Sequence, residues 1–521
     1  MYPNITKNAE SFTDNLQSDE IKHSFRLSFH INLDNLRHKE VDMLHSLYTP
    51  SFGLLTDLYQ LTMGYGYFKH GLAEREAIFN LFFRKAPFGG QRALCAGLQQ
   101  AIELIERFKY TPDQLDYLAG LKGNDQQPLF DNDYLRYLES LDLNLDIDAI
   151  PEGTLVSPNT PLLRIKAPLI VAQLLETPLL TILNFQTLIA TKAARITQAA
   201  QGDTVLEFGL RRAQGIDGGI SASRAAYIGG VHATSNVLAG QLLGIPCKGT
   251  HAHAWVMTFP SEMDAFEHYA QAMPNNCIFL VDTYDTIQGV KNAITIGQKL
   301  KIQGHKMIGI RLDSGNLLEL SRAARVLLDE AGFQDSVIVA SDSLYEHKIA
   351  HLKANGSPIS VWGVGTNLVT AKDQPALGGV YKLAAIKNKN GTWEHRVKRS
   401  NTPIKVSNPG KLQVERIEHQ DQIVDILIDE LQEPKTPPQE ACLLANPKEK
   451  ISLPPRTHSN KLLKPIMRSG KLVTALPSLE SIRNNAQHSL IDFNKPVCVV
   501  MEQRLADIKN RCLNTPKEIP C

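Results

Sequence analysis

At 521 residues the chain is too long for one small domain and reads as two or three. Its 43% hydrophobic and 21% charged residues are those of a globular protein with a large core. With 55 basic and 54 acidic side chains the net charge is only +1, which excludes a broad electrostatic footprint for nucleic acid or an anionic membrane, so any phosphate site must be local.

Residues 1–50 are polar, rich in charge and Asn, and weakly periodic, which reads as an appended N-terminal extension. They hold no apolar stretch of the secretory kind, so a cytoplasmic protein is expected. A first α/β region spans 51–195. Leu58, Leu61, Met63 and Tyr65 begin one helix, and Leu98, Ile102 and Leu104 mark another. Between them Glu76–Arg84 alternates like a strand, and Asp146–Ile165 is strand-rich and punctuated by Pro and Gly. The most apolar stretch, Pro168–Phe185, is interrupted by Gln173 and Glu176 and reads as a buried helix, not a membrane span.

The region 196–385 is the most regular. Short β-rich runs recur at Thr204–Phe208, Cys277–Val281, Met307–Ile310, Val337–Ala340 and Ile359–Trp362. Amphipathic helical segments such as Asn316–Ala331 and Tyr345–Ala354 lie between the later ones. The last four begin roughly 22 to 30 residues apart, the spacing of βα units in a parallel sheet. Each run passes directly into polar or glycine residues: Glu207/Gly209, Asp282/Thr283, Arg311/Asp313/Ser314, Ser341/Asp342 and Gly363/Gly365/Thr366. In a βα barrel the chemistry sits at these carboxyl ends, so the pattern points to a site for something anionic and hydroxylated. Strand ends are also polar simply because loops are wet; the repeated pairing of charge with glycine favours the site.

From 386 to 521 the pattern changes. Lys387–Gln413 is basic and turn-rich, Glu433–Pro438 has the composition of a linker, Leu462–Val473 reads as a hairpin and Ser478–Ser489 as a helix. This part is expected to pack back on the N-terminal domain. The seven cysteines are scattered without CxxC spacing, which supports neither a zinc cluster nor a disulfide framework.

Four segments carry the chemistry. Gly363-Val-Gly-Thr366 lets backbone N–H groups approach a phosphate, with Gly378-Gly379 in sequence reach to extend the cradle. Arg311 and Asp313 are two apart, so on a strand both point into one mouth, where arginine binds a carboxylate bidentately and aspartate accepts from ribose hydroxyls. An ion pair between the two is the plainer alternative. Phe208 is placed to stack on a flat ring, with Arg211 on a phosphate or over the ring; Phe208 in the core with surface arginines suits the same residues. If Gly249-Thr-His-Ala-His253 is a strand, both histidines face one side, but with no Cys or carboxylate nearby it makes a poor metal site, and a buried hydrogen-bonded histidine is the stronger alternative.

These segments resemble the motifs of the nicotinate phosphoribosyltransferase family. The opening LLTDLYQ of Leu54–Gln60 resembles that family, as do Glu207–Gly219, Thr234–Gly240, Gly249–His253, Val281–Asp285, Arg311–Gly315, Gly363–Thr366, the basic stretch Lys398–Val414 and Leu476–Ser478. The likeness runs in the family's order over about residues 52–512; residues 1–50 have no counterpart, and His251 stands where relatives often carry an apolar residue. The resemblance implies an α/β fold, an irregular βα barrel with a second open α/β domain formed from the N- and C-terminal parts of the chain, as a head-to-tail homodimer with shared sites. It implies that Tyr59, reaching in from the partner subunit, and Phe208 sandwich the nicotinate ring, and that Ser235, Thr250 and Arg311 bind its carboxylate. Arg211 and Asp313 would hold the phosphoribosyl group, with Asp342, Gly363, Gly365 and Thr366 around the 5-phosphate. His253 takes the position of a phosphohistidine, so ATP and Mg²⁺ are implied, with no protein metal ligands identified.

The implied reaction joins nicotinate to C1 of 5-phosphoribosyl-1-pyrophosphate through an oxocarbenium-like transition state, so positioning and charge stabilisation matter more than a covalent nucleophile. The rivals are a nicotinamide phosphoribosyltransferase, which by resemblance carries an aspartate near Ser235, and a non-catalytic metabolite-sensing barrel, disfavoured because every motif position is filled.

Overall fold

The computed structural model describes residues 51–419, 421–432, 440–444, 449–453 and 459–515. The N-terminal extension 1–50 and the linker at 433–438 lie outside the described residues. The chain divides between Phe52 and Gly53, and every element below belongs to Gly53–Cys521.

The five β-rich runs of the central region meet in one parallel sheet. Its order is Ala233–Thr234, Thr204–Glu207, Val361–Val364, Val337–Ala340, Gly309–Leu312 and Ile278–Leu280. Three strands start one to two residues later than the sequence predicts, and Ala233–Thr234 is added; Val337–Ala340 falls as predicted. Burial explains the uninterrupted apolar runs: Val205, Phe279, Leu280, Ile310, Ile338, Val339, Ala340 and Trp362 are all inaccessible or nearly so, as in a sheet covered on both faces. The crossovers are the helices Thr286–Ile302, Leu317–Glu330 and Glu346–Ala354. Two start on side-chain caps, Asp285 accepting from the Gln288 N–H and Asn316 from that of Glu319, which fixes where the strand-end loops stop.

One edge of this sheet is extended. The Thr234 N–H donates to the Pro246 carbonyl at 3.0 Å and the Lys248 N–H to the Thr234 carbonyl at 3.0 Å, so the segment Pro246–Lys248 runs beside Ala233–Thr234.

A seven-stranded antiparallel sheet draws on distant parts of the chain, in the order Trp393–His395, Gly379–Lys387, Glu76–Phe83, Leu163–Pro168, Asp146–Ala149, Lys464–Arg468 and Lys471–Leu472. The expected C-terminal hairpin is thus its last two strands. A third sheet holds Leu412–His419, Gln422–Asp429 and Val497–Glu502 with three short strands, around a core of Ile417, Val424, Ile426, Ile428, Ala441 and Val500. The C-terminal part packs on the N-terminal part through buried polar contacts: Ser157 Oγ donates to Asp425 Oδ2 at 2.6 Å, and Arg164 bridges Asp148 at 2.6 Å and Glu430 at 2.9 Å.

The apolar stretch after Pro168 forms two helices, Leu169–Leu174 and Glu176–Ala199, the second packed against the helix Ile216–Ile228. Among the described residues no helix is long and apolar enough to cross a membrane. Cys95, Cys247, Cys277, Cys442 and Cys498 are free thiols, whereas Cys512 is disulfide-bonded, which the cysteine spacing did not signal.

Candidate active site

Glu207 organises one wall. At the end of its strand it is 1% exposed, and a buried carboxylate must have its oxygens met. Oε2 accepts from Ser223 Oγ at 2.9 Å and Thr234 Oγ1 at 2.5 Å, and Oε1 accepts from the Gly209 N–H. One side chain thereby ties the strand end to the helix Ile216–Ile228, to the neighbouring strand, and to the loop carrying Phe208 and Arg211. The Phe208 ring lies against Gly363, where an added Cβ would stand 2.6 Å from it. Gly363 is therefore needed for ring packing, whatever its backbone does for a phosphate.

Arg311, on the strand Gly309–Leu312, makes three side-chain contacts. Nε donates to Ser341 Oγ at 2.7 Å, Nη1 to Thr250 Oγ1 at 2.9 Å and Nη2 to Asp313 Oδ1 at 2.9 Å. The ion pair and the shared mouth are thus both present, and the two readings of Arg311 and Asp313 do not compete. Asp313 is held in turn: its N–H donates to Asp282 Oδ2 at 2.8 Å, Ser341 Oγ donates to its Oδ1, and its Oδ2 lies 3.7 Å from His253 Nε2.

The histidine segment departs from the expected strand. His253 is the first residue of the short helix His253–Met257, so the two imidazoles do not share a face. His253 stays partly exposed in the site with Nδ1 3.1 Å from Thr283 Oγ1. His251 turns inward, is 7% exposed, and accepts the Leu280 N–H at Nε2 at 3.2 Å. Burial, with Arg311 and His253 as lesser contributors, lowers its pKa to about 4, so it is neutral near pH 7. Among the described residues no cluster of three or more His, Cys, Asp or Glu could hold a metal.

Two adjoining cavities result. The first, about 550 Å³, is lined by Phe208, Arg211, Ser235, Thr250, His253, Arg311 and Asp313. The second, about 240 Å³ and more polar in its lining, shares Phe208, Arg211, Arg311 and Asp313 and adds Ser341, Asp342, Gly363, Gly365 and Thr366. Asp342 pairs with Lys348 at 3.0 Å at its margin. Of the site residues that the family resemblance implies, all but Tyr59 line these two cavities.

Tyr59 is the exception. It is 48% exposed on the helix Leu58–Lys69 and lines a separate cavity of about 300 Å³ with Asp57, Thr177, Asn184 and Leu377. The Gly378-Gly379 pair does not extend the cradle either. Gly379 opens the antiparallel strand Gly379–Lys387 and packs against Asn184, where a Cβ would come within 2.0 Å of the amide oxygen. Glu207, Asp282, Thr283 and Ser341 carry no assigned role in the sequence reading although all stand at strand ends; their shared position was the available signal.

The chain is thus an α/β protein with hydroxyls, guanidiniums and carboxylates gathered around an aromatic ring at the ends of its parallel strands, where binding sites of such folds lie. Comparison with known proteins narrows the class. The nicotinate phosphoribosyltransferase (NAPRTase) N-terminal domain matches residues 54–184, the NAPRTase family 204–427, and the nicotinate phosphoribosyltransferase C-terminal domain 413–498. The chain is 49% identical over 373 residues to the nicotinate phosphoribosyltransferase of Bacillus subtilis, covering 71% of this chain and 74% of that one. It is 38% identical over 502 residues to that of Dictyostelium discoideum, covering 85% and 83%. The human nicotinic acid phosphoribosyltransferase structure superposes with a TM-score of 0.74 at 32% identity, over 87% of this chain and 99% of that one. The chain belongs to the nicotinate phosphoribosyltransferase family.

Proposed function

We propose that this protein is a nicotinate phosphoribosyltransferase, joining nicotinate to 5-phosphoribosyl-1-pyrophosphate to give nicotinate mononucleotide and pyrophosphate in NAD biosynthesis. The observation that carries this reading is the Phe208–Arg311 wall, with Thr250 and Ser235 beside it, opening into a polar lobe edged by Gly365 and Thr366. A flat ring fits against Phe208 with its carboxylate toward Arg311, Thr250 and Ser235. The smaller lobe suits the 5-phosphate, with backbone N–H groups at Gly365 and the Thr366 hydroxyl as donors. Asp313 and Arg211, common to both lobes, face the ribose between them.

In this reading the nicotinate nitrogen attacks C1 as the C1–O bond to pyrophosphate breaks, and the protein holds both partners in line while placing charge around the cationic centre. Ser235 supports the acid over the amide, since a neutral hydroxyl tolerates a carboxylate that an aspartate would repel. Mg²⁺ fits the donors present: Asp282 Oδ1 is buried without a hydrogen-bond partner among the described residues, and Asp313 stands next to it. Such an ion takes one or two carboxylates plus phosphate oxygens, and would neutralise charge on the pyrophosphate. His253 is read as the residue phosphorylated by ATP, an imidazole nitrogen taking the γ-phosphoryl group as ADP leaves; its partial exposure and its place opposite Asp313 support this.

The finer architecture belongs to the same reading: the parallel sheet as an irregular barrel, the other two sheets as an open domain from both chain ends, and a cytoplasmic head-to-tail dimer. Exposed apolar side chains support the dimer. Leu55, Leu58, Tyr59 and Met63 lie on the N-terminal helix and its approach; Leu210 lines the cavity, and Val237, Leu238, Leu242 and Met257 are exposed on the helices Val237–Leu243 and His253–Met257. The test is turnover of labelled nicotinate and, in parallel, nicotinamide, with phosphoribosyl pyrophosphate and Mg²⁺, with and without ATP. Nicotinate alone should be converted; equal use of both bases would refute the assignment. Acid-labile label from γ-labelled ATP should appear in wild type and in His251→Ala but not in His253→Ala.

A further inference from the structure

We propose that His251 is a positioning residue of this site: by holding the Leu280 N–H it fixes the turn that carries Thr250 and His253. The inference rests on the functional reading only for what Thr250 and His253 do, not for the attachment itself.

The attachment follows from the sheet. Among the described residues Ile278–Leu280 is the outermost strand on its side and pairs only with Gly309–Leu312. Its Val281 N–H donates to the Arg311 carbonyl at 3.2 Å. Backbone donors alternate sides along a strand, so the Leu280 N–H points off the free edge. Leu280 is buried, and an amide buried there needs an acceptor. Among the described residues no strand supplies one; His251 Nε2 does, at 3.2 Å. Accepting at Nε2 assigns the imidazole proton to Nδ1, which faces the Ala252 carbonyl at 3.5 Å.

The other edge of the sheet carries the segment Pro246–Lys248, hydrogen-bonded to Thr234. The chain therefore leaves one edge at Lys248 and is pinned to the opposite edge three residues later by a side chain. Among the described residues His251 links the two edges where no backbone ladder does. Its ring is held by Tyr269 at 4.8 Å, edge to face, and by Phe266 and Phe279 at 6.1 and 6.5 Å. The ring cannot turn freely in that setting, so the turn above it is fixed.

On either side of His251 stand two site residues. Thr250 Oγ1 donates to the His251 carbonyl at 3.2 Å and accepts from Arg311, so its hydroxyl direction depends on where His251 lies. His253 reaches Thr283, just beyond the same edge strand, at 3.1 Å. Residues 251 and 253 thus grip Leu280 and Thr283 in succession. Without the first grip, Thr250 loses its fixed relation to Arg311.

The experiment compares His251→Phe, which keeps a ring but no acceptor, with His251→Gln, which restores an acceptor oxygen. Hydrogen exchange at the Leu280 amide and the separate kcat and KM values for nicotinate are measured on the full chain. In His251→Phe the amide should exchange roughly tenfold faster or more, and the nicotinate KM should rise roughly tenfold with a smaller change in kcat, the scale of one orphaned buried donor. His251→Gln should move both back toward wild type. Should His251→Phe not fold, His251→Met takes its place. Wild-type protection of Leu280 with an unchanged KM overturns the proposal, as does a fall in kcat at constant KM. If wild type converts no nicotinate, the functional reading fails, and the exchange at Leu280 decides the attachment by itself.

Discussion

The guanidinium carbon of Arg311 lies 5.8 Å from the centre of the Phe208 ring, so a cation faces the aromatic wall of the cavity. Its three nitrogens are directed at Ser341, Thr250 and Asp313. A lysine has no planar fork and cannot meet three acceptors in those directions. Arg311→Lys should therefore lower kcat/KM for nicotinate about 100-fold, a loss of about 2.7 kcal/mol of transition-state stabilisation. Steady-state kinetics check this, and a change under threefold would show that the fork is not used on substrate.

Glu207→Gln replaces an acceptor of three hydrogen bonds by a group that can accept at only one oxygen. Either the Gly209 N–H or the Ser223 and Thr234 hydroxyls then meet an amide N–H. The expected loss of stability is about 1–3 kcal/mol in denaturant unfolding. Because the Phe208 loop hangs from the same carboxylate, nicotinate KM should rise as well. Loss of stability with substrate binding intact would confine Glu207 to the fold.

The lowered pKa of His251 gives stability a defined pH window. The unfolded imidazole takes its proton near pH 6.5, the folded one only near 4. Between those values the unfolded state binds more protons, so stability is full above pH 6.5 and declines as pH falls toward 4. At 1.36 kcal/mol per unit the loss at pH 5 is about 2 kcal/mol from this group. Unfolding curves at pH 7.5 and 5 should differ less in His251→Gln than in wild type; an equal pH effect in both would remove His251 as its source.

Tyr59 sits apart from the cavity that holds Arg311, so a shared site requires two chains. Mixed subunits of Tyr59→Ala and Arg311→Ala should recover up to about a quarter of wild-type activity by random pairing. No recovery after demonstrated subunit exchange would place a whole site in each chain.

The parallel sheet was readable because its strands are short apolar runs at a steady spacing, each ended by polar residues, and burial on both faces produces that signature. The convergence of Arg211, Arg311 and Thr366 followed from the same regularity, whereas Ser235 and Thr250 were expected there only from the family resemblance. The C-terminal sheet was less visible. Leu412–His419 and Gln422–Asp429 carry charges such as Glu415 and Asp425 at buried positions, where Arg416 and Ser157 satisfy Asp425. A buried carboxylate reads as surface until its partner is known. The different fates of His251 and His253 were hidden for a related reason: the segment leaves the sheet at Lys248, and alternation no longer applies beyond it.

The seven-stranded sheet has a consequence for how the chain is made. Glu76–Phe83 emerges early from the ribosome, yet one of its flanking strands is Gly379–Lys387, and Asp146–Ala149 waits for Lys464–Arg468. The parallel sheet needs nothing beyond Val364 for its six strands. Its strands can pair while the earlier-synthesised strand still has an open edge. During translation the nascent N-terminal part therefore carries unpaired backbone and apolar faces for most of the elongation time, which exposes it to association with neighbouring nascent chains. Chains truncated before residue 459 would keep the Asp146–Ala149 edge open permanently, and would be expected to aggregate even though every residue of the cavity around Arg311 had been made.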